Sequence, residues 1–218
     1  MMRDLYEQQL ELLNNELIEM GSLIETAIQM SVDAFMNRDI EKAKEAIEFE
    51  TQTDKKDKEI ENLCLSLILH QQPVASDLRL ISSALKMITD MERIGDHASD
   101  IAEIVISMQD IEYVADPEPI EQMAKETTVM LIKSVDAFVN RNVELAREVI
   151  AYDDKVDDLF DKSRKDIIEL VHNDPAAGEQ ITDFLMIAKY FERIGDHATN
   201  IAEWVIYSVT GVHDSHTN

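Results

Sequence analysis

The sequence is poor in most of what builds sheets, disulfide frameworks or nucleic-acid surfaces. Of its 218 residues one is cysteine, five are glycine, four are proline, and 6% are aromatic. A single cysteine excludes an intrachain disulfide and points to a reducing, cytoplasmic setting. Cys64 lies in the apolar run 63–69 with no basic neighbour in sequence, so it reads as core rather than as an activated thiol. Scarce glycine and proline leave little turn punctuation, and the elements should be long. Basic residues are scarce too: 20 Lys and Arg against 45 Asp and Glu give a formal charge of −25. That surplus repels the phosphates of nucleic acid and an anionic membrane surface, which argues against either as a direct partner. No stretch approaches the roughly 20 apolar residues of a spanning helix, and the N-terminus has no apolar signal core, so direct membrane insertion is not expected.

Leu, Ile, Ala, Met, Glu and Lys dominate instead, the composition of long helices. The clearest break is Asp116-Pro117-Glu118-Pro119, where two prolines would cost a helix its donors and clash with the preceding turn. The residues on either side repeat. Val32-Asp33-Ala34-Phe35-Met36-Asn37-Arg38 returns as Val135-Asp136-Ala137-Phe138-Val139-Asn140-Arg141 at an offset of 103, and Glu92-Arg93-Ile94-Gly95-Asp96-His97-Ala98 returns as Glu192-Arg193-Ile194-Gly195-Asp196-His197-Ala198 at an offset of 100. Two matches in the same order mean a duplicated unit, with a first repeat over 1–115 and a second over 116–218.

Each unit carries helical apolar periodicity, as in Leu80, Ala84, Met87, Met91, Gly95, Ala98, Ala102 and Val105. Breaks fall at Asn37-Arg38-Asp39 and Asn140-Arg141-Asn142, and again before Pro73 and Pro175. The pattern predicts helices near 5–37, 40–70, 76–110, 118–140, 143–172 and 178–210, and a disordered tail from Gly211. The chain is therefore expected to be all-α, two tandem three-helix bundle repeats with short turns and antiparallel neighbours. Periodicity leaves open whether the two bundles lie side by side or end to end.

In the third helix Glu92, Asp96, Asp100 and Glu103 share one stripe, well over 90° from the apolar one. This predicts an acidic line pointing outward from the core. The sixth helix carries Glu192, Asp196, Asn200 and Glu203 at the matching positions, and the second and fifth carry Glu50 with Asp54 and Asp153 with Asp157. An ordinary solvated surface explains any one such pair. Across 92–106 and 192–206, however, twelve of fifteen positions are identical, against five of fifteen across 40–54 and 143–157, and a freely solvated face gives no reason for that contrast. Like charges one turn apart also destabilise a helix by a few tenths of a kcal/mol, and a bound cation reverses the sign. The candidate metal ligands are Glu50, Asp54, Glu92, Asp96, Asp100, Asp153, Asp157, Glu192, Asp196 and Asn200. An all-oxygen set suits hard cations such as Mg, Ca or Mn, or a carboxylate-bridged iron cluster, rather than a tetrahedral Cys/His zinc site.

Gly95 and Gly195 sit mid-helix at a cost near 1 kcal/mol each, which close approach of a neighbouring helix would explain. Arg93 and Arg193 are expected to pair with carboxylates of an adjacent helix. His97 and His197 are expected to make capping or interhelical hydrogen bonds rather than to bind metal, and the eleven methionines to fill core.

The paired Glu-Arg-Ile-Gly-Asp-His-Ala segments, the twofold Val-Asp-Ala-Phe and the six-helix duplication resemble the PhoU family of phosphate-transport regulators over residues 5–210. The resemblance implies multinuclear iron or zinc clusters held at the pairs Glu50 with Asp54, Glu92 with Asp96, Asp153 with Asp157 and Glu192 with Asp196. Asn200 in place of Asp100 departs from even occupancy of the two repeats. It further implies a homodimer, and a negative regulator of the phosphate-starvation response that couples the cytoplasmic subunit of a phosphate ABC transporter to a PhoR-type sensor histidine kinase. No catalytic residue is expected. Three other readings compete. A di-iron oxidase needs two Glu-x-x-His elements, of which only Glu169-Leu170-Val171-His172 is present. A phosphotransfer bundle would use His97 or His197, and a helical adaptor would bind no metal at all.

Overall fold

A computed structural model describes residues 2–71, 74–109, 113, 115–173 and 177–212. Those residues form six helices: α1 (Met2–Asn37), α2 (Ile40–Gln71), α3 (Ala75–Ser107), α4 (Glu118–Val139), α5 (Val143–Asn173) and α6 (Gly178–Thr210). Every end lies within three residues of its predicted position, and no strand occurs among the described residues.

Short polar turns set the antiparallel order. After α1, the Arg38 N–H donates to Phe35 O at 3.3 Å and the Asp39 N–H to Ala34 O at 2.9 Å, while Asp39 Oδ1 caps α2 by accepting from the Lys42 N–H at 3.1 Å. After α4, Arg141, Asn142 and Leu145 repeat the same bonds. Three residues thus close one helix with a Schellman pair and open the next with an Asx cap. The geometry puts Arg38 at φ 55° and Arg141 at φ 52°, a left-handed conformation that costs an L-residue about 1–2 kcal/mol. Each arginine faces a tyrosine in return. The Arg38 guanidinium lies 5.7 Å from the ring centre of Tyr113, and the charge of Arg141 acts on Tyr6, whose phenol is nevertheless pushed up to about 12, by burial first and then by Asp77. Asp116 Oδ1 accepts from the Glu118 N–H at 3.0 Å where α4 begins, with Pro117 at its N-cap. Gly211, expected in a disordered tail, instead ends α6 at φ 74°, its N–H donating to Tyr207 O at 2.8 Å; residues 213–218 lie outside the described residues.

The repeats lie side by side. α3 packs along α6 and α1 along α4, while α2 covers α1 and α3 and α5 covers α4 and α6. The pairing α3–α6 with α1–α4 is that of a pseudo-twofold axis across antiparallel helices. One continuous core results, with Phe35, Phe138, Phe184 and Phe191 among its fully buried side chains. Truncating one such phenylalanine costs about 3–5 kcal/mol. Cys64 is part of this core at 0% exposure, and burial pushes its thiol up to about 12. Among the described residues no helix is long and apolar enough to cross a membrane.

Candidate metal centre

The mid-helix glycines set the geometry of the acidic residues. A Cβ on Gly95 would meet Thr53 Oγ1 at 3.2 Å, and a Cβ on Gly195 would meet Asp153 Oδ1 at 3.1 Å and Val156 Cγ1 at 3.4 Å. The missing side chains let α2 close on α3 and α5 close on α6. That approach carries the acids of the outer helix onto those of the inner one, as close packing at these glycines predicted.

In the first repeat Glu50 and Asp54 of α2 meet Asp96 of α3, with one carboxylate oxygen from each within 4.8 Å of the others. All three are half-buried in the α2–α3 groove rather than set on an outward line. Burial raises the Glu50 carboxyl above the ordinary range, and the adjacent Asp96 and Asp54 carboxylates add to it against a hydrogen bond from Ser99. Glu92 is raised by burial and by Asp96, with smaller contributions from Asp57 and Asp54.

In the second repeat Asp153 and Asp157 of α5 and Glu192 and Asp196 of α6 act on one another through their charges, while among the described residues the first repeat's trio is the group with three oxygens within 4.8 Å. Burial, followed by Asp157, Asp196 and Glu192, pushes the Asp153 carboxyl up to about 7. Asp157 and Asp196 are raised as well, by burial first and then by Glu192. Each cluster is an assembly of carboxylates that repel one another, short of positive charge at its centre.

Cations at the margins offset part of this. Arg93 turns back along its own helix, Nη1 donating to Asp96 Oδ2 at 2.9 Å with Nε 3.5 Å from Glu92 Oε2, so the expected pairing with an adjacent helix is corrected. The side chain is long enough to reach one turn up its own helix, and its 57% exposure keeps it out of the groove. Arg193 makes no ion pair among the described residues. Lys189 donates to both oxygens of Glu192.

Asp100 and Asn200 are drawn elsewhere, to the seam where α3 crosses α6. His97 Nδ1 lies 3.3 Å from Asp100 Oδ2, His197 Nδ1 lies 2.9 Å from Asp90 Oδ1, and Asn200 Nδ2 donates to the same Asp90 oxygen at 3.1 Å. The rings of His97 and His197 stand 5.6 Å apart across the pseudo-twofold axis, with Tyr190 5.2 Å from His97. The interhelical hydrogen bond expected of these histidines is therefore made by His197, while His97 bonds within its helix. Asp57, Ser99 and Lys189 are groups the sequence reading passed over. Asp57 faces Phe160 in the repeat alignment and Lys189 faces Thr89, so the duplication that revealed the other acids hid these two.

A bundle of two three-helix repeats that presses carboxylate pairs together at each outer seam belongs to the class of duplicated helical, acidic-site proteins. The chain belongs to the PhoU family: the model of the PhoU domain matches it twice, over residues 17–105 and 120–205. Similar curated proteins include a phosphate-specific transport system accessory protein PhoU homolog of Clostridium acetobutylicum, 39% identical over 97% of both chains, and PhoU homolog 1 of Methanothermobacter thermautotrophicus, 34% identical over 95% of both. The crystal structure of PhoU from Pseudomonas aeruginosa superposes with a TM-score of 0.90 at 32% identity, covering 95% of this chain and all of that one. The PhoU structure from Streptococcus pneumoniae does so with a TM-score of 0.87 at 26% identity, covering 95% of this chain and 98% of that one.

Proposed function

We propose that this protein is a non-enzymatic accessory regulator of phosphate uptake whose two carboxylate clusters bind hard metal cations. Glu50, Asp54 and Asp96, with Glu92 beside them, hold one cation or cluster; Asp153, Asp157 and Asp196, with Glu192, hold the other. The convergence of three oxygens from two helices at Glu50, Asp54 and Asp96 is the observation that carries the reading, because their mutual repulsion falls when a cation shares them. The donors fit oxygen-seeking ions such as iron, magnesium, calcium or manganese, and zinc through its carboxylate coordination. Bound metal would fasten α2 to α3 and α5 to α6. It would thereby fix the shape of the two outer seams.

The names of the relatives, accessory proteins of phosphate-specific transport systems, support the transport role. On this reading the protein works in the cytoplasm as a homodimer, contacts the cytoplasmic subunit of a phosphate ABC transporter and a PhoR-type sensor kinase, and holds phosphate-starvation genes off when phosphate is plentiful. A di-iron oxidase is disfavoured by the position of Glu169 and His172, which lie on α5 about 24 and 28 Å along the helix from Asp153 and outside both clusters.

The test is elemental analysis of protein purified without chelators or metal resins, with a deletion strain complemented in parallel. Wild type should carry metal and restore repression in high phosphate; the E50A/D54A/D96A variant should lose the metal of the first seam. Metal-free wild type after such a purification would sink the cation reading. Unchanged repression in the deletion strain would sink the regulatory one.

A further inference from the structure

We propose that the second repeat carries a docking trough for a basic amphipathic helix of a partner protein, in the place that the first turns of α1 hold in the first repeat. The trough is separate from the carboxylate clusters, and its test does not depend on metal.

The duplication is incomplete at one point. α1 starts at Met2 and α4 at Glu118, and at the offset of 103 Glu118 falls on Asn15. The first three turns of α1 therefore have no helical counterpart among the described residues. In the first repeat they lie along the C-terminal half of α2, where Leu13 is fully buried and Tyr6 and Leu10 pack against the core. Leu67 and Cys64 of α2 are sealed beneath them at 0% exposure. In the second repeat Leu170, the counterpart of Leu67, is only partly buried.

A cavity of about 330 Å³ opens at this place, floored by Ile120, Ile167, Leu170 and Phe184. The described residues of the linker ahead of α4 border it without filling it, with Ala115 and Asp116 on its wall. Tyr113 stacks on Phe35 at 5.0 Å and donates to Phe35 O at 2.8 Å, facing Arg38 much as Tyr6 faces Arg141, so it replaces the tyrosine of the missing helix and not the turns around it. Ile120, Ile167 and Phe184 are buried in its floor and Leu170 is the partly accessible residue, so the cavity suits apolar side chains entering from one face of a helix, spaced like Tyr6, Leu10 and Leu13.

The rim says what kind of helix. Asp116, Asp166 and Glu169 border the cavity, and their counterparts in the filled first repeat are Leu13, Leu63 and Ser66. Three positions that are apolar or neutral where the chain covers itself are acidic where it does not. Asp166 and Glu169 have no ion-pair partner among the described residues. A helix bearing lysine or arginine beside its apolar stripe complements this rim, whereas a second copy of this chain, at −25, would meet it with like charge.

The proposal can be tested on the full chain with two fluorescein-labelled synthetic peptides, each held helical by a lactam on its outer face. One is residues 4–17 of this chain with Asp4, Glu7, Glu11 and Glu16 replaced by lysine; the other keeps the native acids. Fluorescence anisotropy should show the lysine peptide binding wild type at least about tenfold more tightly than the native one, and Leu170→Asp should weaken it by about tenfold. The exposed-rim variant D166K/E169K, checked for an unchanged Tm, should reverse the preference and favour the native acidic peptide. No binding of the lysine peptide, equal binding to Leu170→Asp, or an unreversed preference in D166K/E169K would overturn the proposal. So would self-association of wild type in sedimentation that Leu170→Asp abolishes, since the occupant would then be a second copy.

Discussion

The two carboxylate seams arise from one duplicated unit, and among their differences are a methylene, a lysine and Asp57, which Phe160 replaces in the second. Where the first has Glu50 the second has Asp153, and where the first has Thr89 the second has Lys189. The shorter acid is drawn into the α5–α6 contact, its Oδ1 3.1 Å from the place a Cβ on Gly195 would take, and burial with three acidic neighbours pushes it up to about 7. Glu50 is also raised by burial, and a hydrogen bond from Ser99 works against that rise. Lys189 meanwhile neutralises Glu192, as Arg93 does Asp96 from outside the first seam. The second seam is thus the more strained of the two, with a built-in cation partly standing in for a bound one.

The comparison is broken most severely at the glycines. Gly195→Val should destabilise by about 2–3 kcal/mol, because its side chain must displace Asp153 and Val156 together, while Gly95→Val presses mainly on Thr53 and should cost less. Urea melts of the two variants measure the difference.

A smaller effect of opposite sign is expected from Asp153→Asn. The folded chain holds a proton on Asp153 up to about pH 7 that the unfolded chain releases near 3.8, so the stability this group contributes is present below about pH 4 and is lost as pH rises through 7. The amide escapes that loss. In cation-free buffer Asp153→Asn should gain about 1–2 kcal/mol over wild type at pH 8, solvent screening holding it below the full value of the shift, and should gain nothing at pH 4. Glu50→Gln, where the hydrogen bond from Ser99 opposes the rise, should follow the same sign with a smaller gain. Equal gains from both would erase the distinction between the seams.

The smallest expected change is Lys189→Thr, which gives the second seam the first one's residue. Losing this partly exposed pair should cost about 0.5–1 kcal/mol without metal, and added Mn²⁺ should restore more stability to the variant than to wild type. Tm with and without Mn²⁺ reads it directly.

Much of this molecule could be read before any coordinates. The repeated Asn-Arg pairs at 37–38 and 140–141 marked both turns, and the apolar stripes placed every helix. The acids of α2 and α5 were paired with those of α3 and α6 because each fell in register with the duplication. The reading failed where one helix's stripe met two different neighbours. Glu92 and Asp96 face α2, but Asp100 a turn further on turns toward the α6 seam, since α3 is covered by α2 on one flank and by α6 on the other. Spacing alone does not tell whether Arg93 reaches an adjacent helix or Asp96 of its own, which is the partner it takes.

What the amino-acid sequence determined by itself is local: six helices, their caps, and a twofold unit, all fixed by periodicity and turn chemistry within a few residues. Only the tertiary structure decided that the repeats lie side by side, that His97 and His197 meet across the axis, and that a cavity opens in the second repeat beside Leu170. Those facts depend on which apolar face packs against which. Burial energy is non-directional, so the partner of a face follows from the shape of the assembled bundle rather than from the pattern along one helix.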